Sequence, residues 1–141
     1  MEADKETGKV MFQAAERVSI KRLRSEDIDK FPCEDLLTIN QLWLHYSNGK
    51  FGFSVQKEVY EGLGGTRVYN EEVWRNFGDR VGWRKGGNWL NYSNLTFNLN
   101  APIAHLPVGV RGVGVGFDGF YWAWGEMGCM YVYARLVTCK I

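Results

Sequence analysis

The stretch over about 33–46 constrains this chain most, because its apolar residues can be buried together only on a helix. Leu36, Ile39, Trp43 and Tyr46 recur at steps of three and four, and Leu37 and Leu44 widen the stripe. Pro32 is placed as the first residue of this helix, with Glu34 and Asp35 favouring its positive end. Ser47-Asn48-Gly49 ends it, the glycine supplying a positive φ. A helix so striped must be covered by other elements.

Candidates for that cover lie on both sides. Asp4 is expected to cap a helix over about 5–16, with Val10, Met11, Ala14 and Ala15 on one face. Ser19 to Ser25 reads as a basic loop, followed by a short turn through Ile28 and Phe31. Ser54 should cap a helix running to Leu63 that buries Val55, Val59 and Leu63. Asn70 should cap another over about 71–77 that buries Val73, Trp74 and Phe77 before Gly78. Beyond Gly78 the periodicity weakens, and short turns are expected. Residues 101–107 form a loop fixed by two prolines, Pro102 and Pro107. Residues 109–119 alternate valine and glycine, which fits either a weak strand or a flap. From Met127 to Ile141 helix and strand are both open.

The length, 141 residues, suits a single domain spanning 1–141, and a 45% hydrophobic, 15% aromatic composition can build its core. Seventeen basic and sixteen acidic groups give a net charge of +1, which leaves no electrostatic footprint for nucleic acid. No apolar stretch reaches the roughly 18 residues of a membrane span. Met1-Glu-Ala-Asp-Lys-Glu carries no signal-peptide or transit character, and its abrupt start in a helical pattern suggests a trimmed N-terminus or a domain cut from a longer chain. Cys33, Cys129 and Cys139 form no C-x-x-C pair, so free thiols in a reducing compartment are expected, with Cys129–Cys139 as the one bridge kept open.

Enzyme chemistry finds little support. The two histidines, His45 and His105, lie near no recognisable nucleophile motif, and neither G-x-S-x-G nor H-E-x-x-H occurs. Gly112-Val-Gly114-Val-Gly116 is not the dinucleotide fingerprint. What remains is aromatic and aliphatic loop surface near Arg22, Arg24, Arg84 and Arg111. Such surface suits a flat anionic ligand, and on composition alone it suits a protein interface better.

Six ordered phrases carry a resemblance. They are Ala3-Asp-Lys-Glu-Thr7, Asp29-Lys-Phe-Pro32, Asp35-Leu-Leu-Thr-Ile-Asn-Gln-Leu-Trp43, Ser47-Asn-Gly-Lys-Phe-Gly-Phe-Ser-Val-Gln56, Phe77-Gly-Asp-Arg-Val-Gly-Trp83, and Leu99-Asn-Ala-Pro102 with His105-Leu-Pro107. In order and spacing, from residue 3 to about 113, the chain resembles the Genomes Uncoupled Four family. The resemblance implies a compact all-α fold in which two long loops, about 17–32 and 102–118, form an apolar ligand cradle. It implies binding of a porphyrin-type tetrapyrrole, protoporphyrin or Mg-protoporphyrin, and presentation to the H subunit of magnesium chelatase in chlorophyll synthesis, without catalysis. The cradle residues are expected to be Arg22, Leu23, Arg24 and Phe31 with His105, Val110, Arg111 and Val113. Arg111 would face a propionate. Gly8 and Gly114 stand where the family carries arginine, Ser25 and Asn91 where it carries aromatics, and Ala104 where it carries glycine. The tail from Phe117 looks more like cyanobacterial members. A cyanobacterial cytoplasm is therefore expected, with plastid stroma as the alternative. A paralogue that binds a bilin, or a protein-interaction or sensory module, is the alternative function.

Overall fold

The computed structural model of the protein describes residues 1–16, 25–108 and 128–141. Over these residues the elements are α1 (Glu2–Ala14), α2 (Ser25–Asp29), α3 (Cys33–Tyr46), α4 (Phe53–Gly62), α5 (Glu71–Val81), the strands β1 (Arg84–Lys85) and β2 (Asn88–Trp89), a 3-10 turn (Tyr92–Asn94) and α6 (Gly128–Thr138). The expectation of an all-α fold holds. The two strands form one antiparallel hairpin, with Arg84 opposite Trp89 and Lys85 opposite Asn88. The open choice for the tail resolves as helix α6.

Helix α3 has the expected bounds, with Pro32 as its N-cap rather than its first residue, but the buried stripe differs at its end. Leu36, Ile39, Asn40 and Ser47 are buried, whereas Tyr46 is 77% exposed. At 3.6 residues per turn Tyr46 lies about 80° off the line through Leu36, and Ser47 only about 20°. The polar residues on the stripe are bonded. The Asn40 Oδ1 accepts from the Ser54 amide at 2.9 Å and from its hydroxyl at 3.1 Å.

That pair explains how α4 begins. Gly52, not Ser54, is its N-cap, at φ +133°, and a Cβ there would stand 3.0 Å from Asn40 Oδ1. The buried face of α4 is Phe53, Gln56 and Tyr60, and the expected Val55, Val59 and Leu63 are only half-buried at its flank. Apolar periodicity misplaced this face because its central residue, Gln56, is polar. Helix α5 is capped as expected, with Asn70 Oδ1 accepting from the Val73 amide at 3.0 Å. It runs through Gly78 to Val81 instead of stopping. Gly78 is there for contact: a Cβ would meet the Trp89 ring at 2.5 Å.

Around α5 the aromatics stack into the core. Trp74 lies 5.5 Å from both Phe77 and Trp89, and Trp83 packs edge-on to Trp74 and Phe77. Tyr60 adds an edge contact to Phe77. Each such pair contributes about 1 kcal/mol beyond burial.

The thiol expectation is corrected. Cys33 and Cys139 are joined as a disulfide, Cα to Cα 5.4 Å, across 106 residues of sequence. A Cys129–Cys139 bridge is excluded by α6 itself, since ten residues of helix separate their Cα atoms by roughly 15 Å, far beyond disulfide reach.

Gln56 is the polar key to this packing. Its buried Nε2 donates to the carbonyls of Ala104 (3.1 Å) and Pro107 (2.8 Å). Gln56→Leu keeps the volume and strands both acceptors. It should lower unfolding free energy by about 3 kcal/mol in urea denaturation; a loss below about 1 kcal/mol would show that these bonds do not hold the segment.

Candidate ligand-binding site

The two segments expected to form the cradle enter the described structure through fixed roots. The first is α2 and the turn after it. Ile28 and Phe31 are buried in the core, and the Phe31 carbonyl accepts from Arg135 Nε at 2.8 Å and Nη2 at 2.6 Å. Arg135 belongs to α6, so the C-terminal helix secures this root.

The second root is residues 101–108, an irregular stretch that surfaces at Pro102 and Ile103 and is buried from Ala104 to Val108. Ala101, Ala104, Leu106 and Val108 are buried there. Buried peptide groups require partners, and nearly every neighbouring element supplies one. The Ala104 amide donates to the Lys50 carbonyl at 3.0 Å, and the Leu106 carbonyl accepts from the Gly52 amide at 3.0 Å. Trp83 Nε1 donates to the His105 carbonyl at 2.8 Å. The Val108 amide donates to Asp4 Oδ1 at 2.6 Å. Ala104 itself sits at φ +64°, a conformation that favours glycine, which accounts for glycine as the residue the family pattern carries there.

Asp4 is therefore not a helix cap. It faces inward from the first turn of α1, with Oδ2 also accepting from the Tyr92 hydroxyl at 2.9 Å. Burial pushes its carboxyl up to about 6, against the Val108 and Tyr92 bonds that favour the charged form. His105 is the opposite case. Its Nδ1 lies 2.6 Å from the Val81 carbonyl, and its Nε2 accepts from the Thr96 amide at 3.2 Å, which specifies the neutral ring protonated at Nδ1. Burial lowers its pKa, and the Val81 bond only partly opposes this.

Of the cradle residues read from the sequence, Phe31 and His105 are described, and both are fully buried members of these roots. Arg22, Leu23, Arg24, Val110, Arg111 and Val113 lie outside the described residues. Arg84 is engaged elsewhere, its Nη1 lying 3.0 and 2.8 Å from the two carboxylate oxygens of Asp79. Sequence reasoning missed Asp4, Gln56, Tyr92 and Arg135. Their partners lie about fifty to a hundred residues away and leave no local signal.

An open apolar groove of ≈ 320 Å³ runs between α1 and α3, bordered by Ala3, Val10, Ile39, Leu42, Trp43 and Tyr46. A smaller cavity of ≈ 30 Å³ lies between α4, α5 and α6, under Val132, Tyr133 and Leu136. Gln56 and Trp74 line that cavity, and Gln56 Oε1 and Trp74 Nε1 have no hydrogen-bond partner among the described residues. The volume is that of one water, and a water there would serve an acceptor and a donor at once. Among the described residues, no cluster of three or more His, Cys, Asp or Glu could hold a metal, and no helix is long and apolar enough to cross a membrane.

A family profile described as GUN4-like matches residues 1–117. The chain is 39% identical over 92 residues to a Ycf53-like protein of Synechocystis sp., covering 63% of this chain and 36% of that protein. It is 36% identical over 118 residues to the ycf53 protein of Porphyra purpurea, covering 80% of this chain and 47% of the relative. A chloroplastic tetrapyrrole-binding protein of Arabidopsis thaliana is 26% identical over 119 residues, with 76% of this chain and 42% of that one covered. The chain thus spans less than half the length of these relatives. The ligand-free structure of Arabidopsis thaliana GUN4 superposes with a TM-score of 0.68 at 22% identity, covering 93% of this chain and 83% of that one, a likeness of fold.

The Asp4 geometry has a measurable consequence. The folded state keeps a proton on Asp4 that the unfolded chain releases, so this group's stability contribution is present below about pH 4 and is lost as pH rises through about 6. Asp4→Asn retains the shape without the titration. Its stability relative to the parent should rise by about 2 kcal/mol between pH 4 and 7. Thermal unfolding of both proteins across that range checks it, and a constant difference would overturn the assignment.

Proposed function

The chain belongs to the GUN4-like family, and from that premise we propose that it binds a porphyrin-type tetrapyrrole as a carrier or regulator, not as an enzyme. The observation that carries this reading is the family match, which spans both cradle segments up to residue 117, together with an Arabidopsis relative named for tetrapyrrole binding. The structure supports it physically. Each proposed loop adjoins a hydrogen-bonded root, part-buried at Phe31 and buried at 104–108, so ligand contact would cost little further ordering of the roots themselves.

In this proposal Arg22, Leu23 and Arg24 of the first loop and Val110, Arg111 and Val113 of the second meet the macrocycle. The valines and Leu23 cover its faces and the arginines pair with its propionates. Phe31 and His105 act from inside, the former as the apolar base of the first loop and the latter as the brace of the second. His105 is held neutral by Val81 and Thr96, which suits it to bracing rather than to binding an anion. Protoporphyrin and Mg-protoporphyrin are the proposed ligands, with bilins as a chemical alternative. The H subunit of magnesium chelatase is the proposed client, in cyanobacterial cytoplasm or plastid stroma. A second reading, a protein-interaction module, draws on the open α1–α3 groove, whose rim includes the exposed Leu42 and Tyr46.

Titration of protoporphyrin, Mg-protoporphyrin and a bilin against tryptophan fluorescence tests the proposal. Quenching with a shifted porphyrin absorption is expected at micromolar ligand, and absence of both for every tetrapyrrole would overturn it. Arg111→Ala should weaken binding about ten-fold, the value of one charge-assisted contact, with an unchanged melting temperature. Unchanged affinity would remove Arg111 from the site.

A further inference from the structure

The Cys33–Cys139 disulfide joins the two elements on which the first root depends. Cys33 is the first residue of α3, immediately after the Phe31–Pro32 turn, and Cys139 follows the last turn of α6. Helix α6 has eleven residues, too few to be stable alone. It is docked by burial of Val132 and Leu136, by Arg135 on the Phe31 carbonyl, and by Lys57 Nζ on the Ile141 carbonyl at 2.9 Å. Helix α2, five residues long, packs chiefly on α6. The position of α2 and Phe31 is therefore set by α6, and the disulfide ties α6 to the same corner.

We propose that Cys33–Cys139 is a reversible redox clamp, a site of thiol–disulfide exchange with a dithiol reductant, whose opening loosens α6 and the Phe31 root and weakens tetrapyrrole binding. The regulatory half rests on the tetrapyrrole reading above; the clamp itself does not. Both cysteines are only half-buried, so a thiolate can approach. In the reducing compartment proposed above, disulfides are usually transient and catalytic or redox-sensing.

The exchange balances as follows. One thiolate of the dithiol attacks Cys139 Sγ, the protein S–S bond breaks, and its electron pair leaves on Cys33 Sγ. That thiolate forms in the first turn of α3, whose N-cap Pro32 offers no side-chain cap, so backbone N–H groups there favour the negative charge. The second thiol of the reductant then attacks the mixed disulfide and releases the Cys139 sulfur. The reductant leaves as a disulfide, and the protein has gained two electrons and two protons as two thiols.

The experiment uses the full chain carrying Cys129→Ser, which removes the third cysteine, oxidised and then reduced with dithiothreitol, with thiols counted by mass after alkylation. Amide hydrogen exchange over 25–31 and 128–141 should quicken about ten-fold or more on reduction, as expected for easier local opening. Protoporphyrin affinity should fall about five-fold as ordering of the root is added to binding. Cys33→Ser and Cys139→Ser should each match the reduced protein and ignore dithiothreitol. Failure of dithiothreitol to reduce the native protein, or unchanged exchange after reduction, overturns the clamp. Faster exchange with equal porphyrin affinity in both states overturns the regulation and leaves tetrapyrrole binding standing. Absence of porphyrin binding even in the oxidised protein overturns the tetrapyrrole reading and the regulation with it, and exchange alone then decides the clamp.

Discussion

A run of irregular backbone passing through the interior is the constraint on which this structure turns. Residues 101–108 have no helix or sheet to satisfy their peptide groups, and burying such groups unpaired would cost about 1–3 kcal/mol each. The solution is to recruit partners from across the chain: Lys50 and Gly52 by backbone, Gln56, Trp83 and Asp4 by side chain. The N-terminal helix, the α3–α4 junction, α4 and the α5–β1 junction are thereby fastened to one strap. The hydrophobic core fills around it, with Phe53, Trp74, Phe77 and Trp83 among its largest members.

Two titratable groups sit in this strap system with opposed responses to pH. Burial raises the Asp4 pKa to about 6 and lowers that of His105. As pH rises the Asp4 contribution is lost; as pH falls through the ordinary histidine range the His105 contribution is lost. The strap is thus held by groups whose pH penalties fall on opposite sides.

The helices were legible where local chemistry dominates. Asn70 capping α5, the Pro32 start of α3 and its Ser47–Gly49 end follow from side-chain and backbone preferences within a few residues. Legibility failed where a polar residue occupies a buried stripe. Asn40 and Gln56 look like solvent positions, and on α4 this moved the predicted face onto Val55, Val59 and Leu63. Asp4 looked like a cap because acidic residues favour helix starts, yet its partners are Tyr92 and Val108. The cysteine pairing was misread for the same reason. Spacing carries no information on which helix ends meet, and only the placement of α6 across the start of α3 brings Cys139 to Cys33.

The sequence by itself determined the all-α class and the family, because helical periodicity, caps and ordered phrases are properties of neighbouring residues. Tertiary structure alone decided how Phe31 is held through Arg135, and how the 101–108 strap, with its buried neutral His105, is held through Asp4 and Gln56. Hydrogen bonds between residues a hundred positions apart, and the disulfide across 106, depend on where helices pack, and packing is a property of the whole chain.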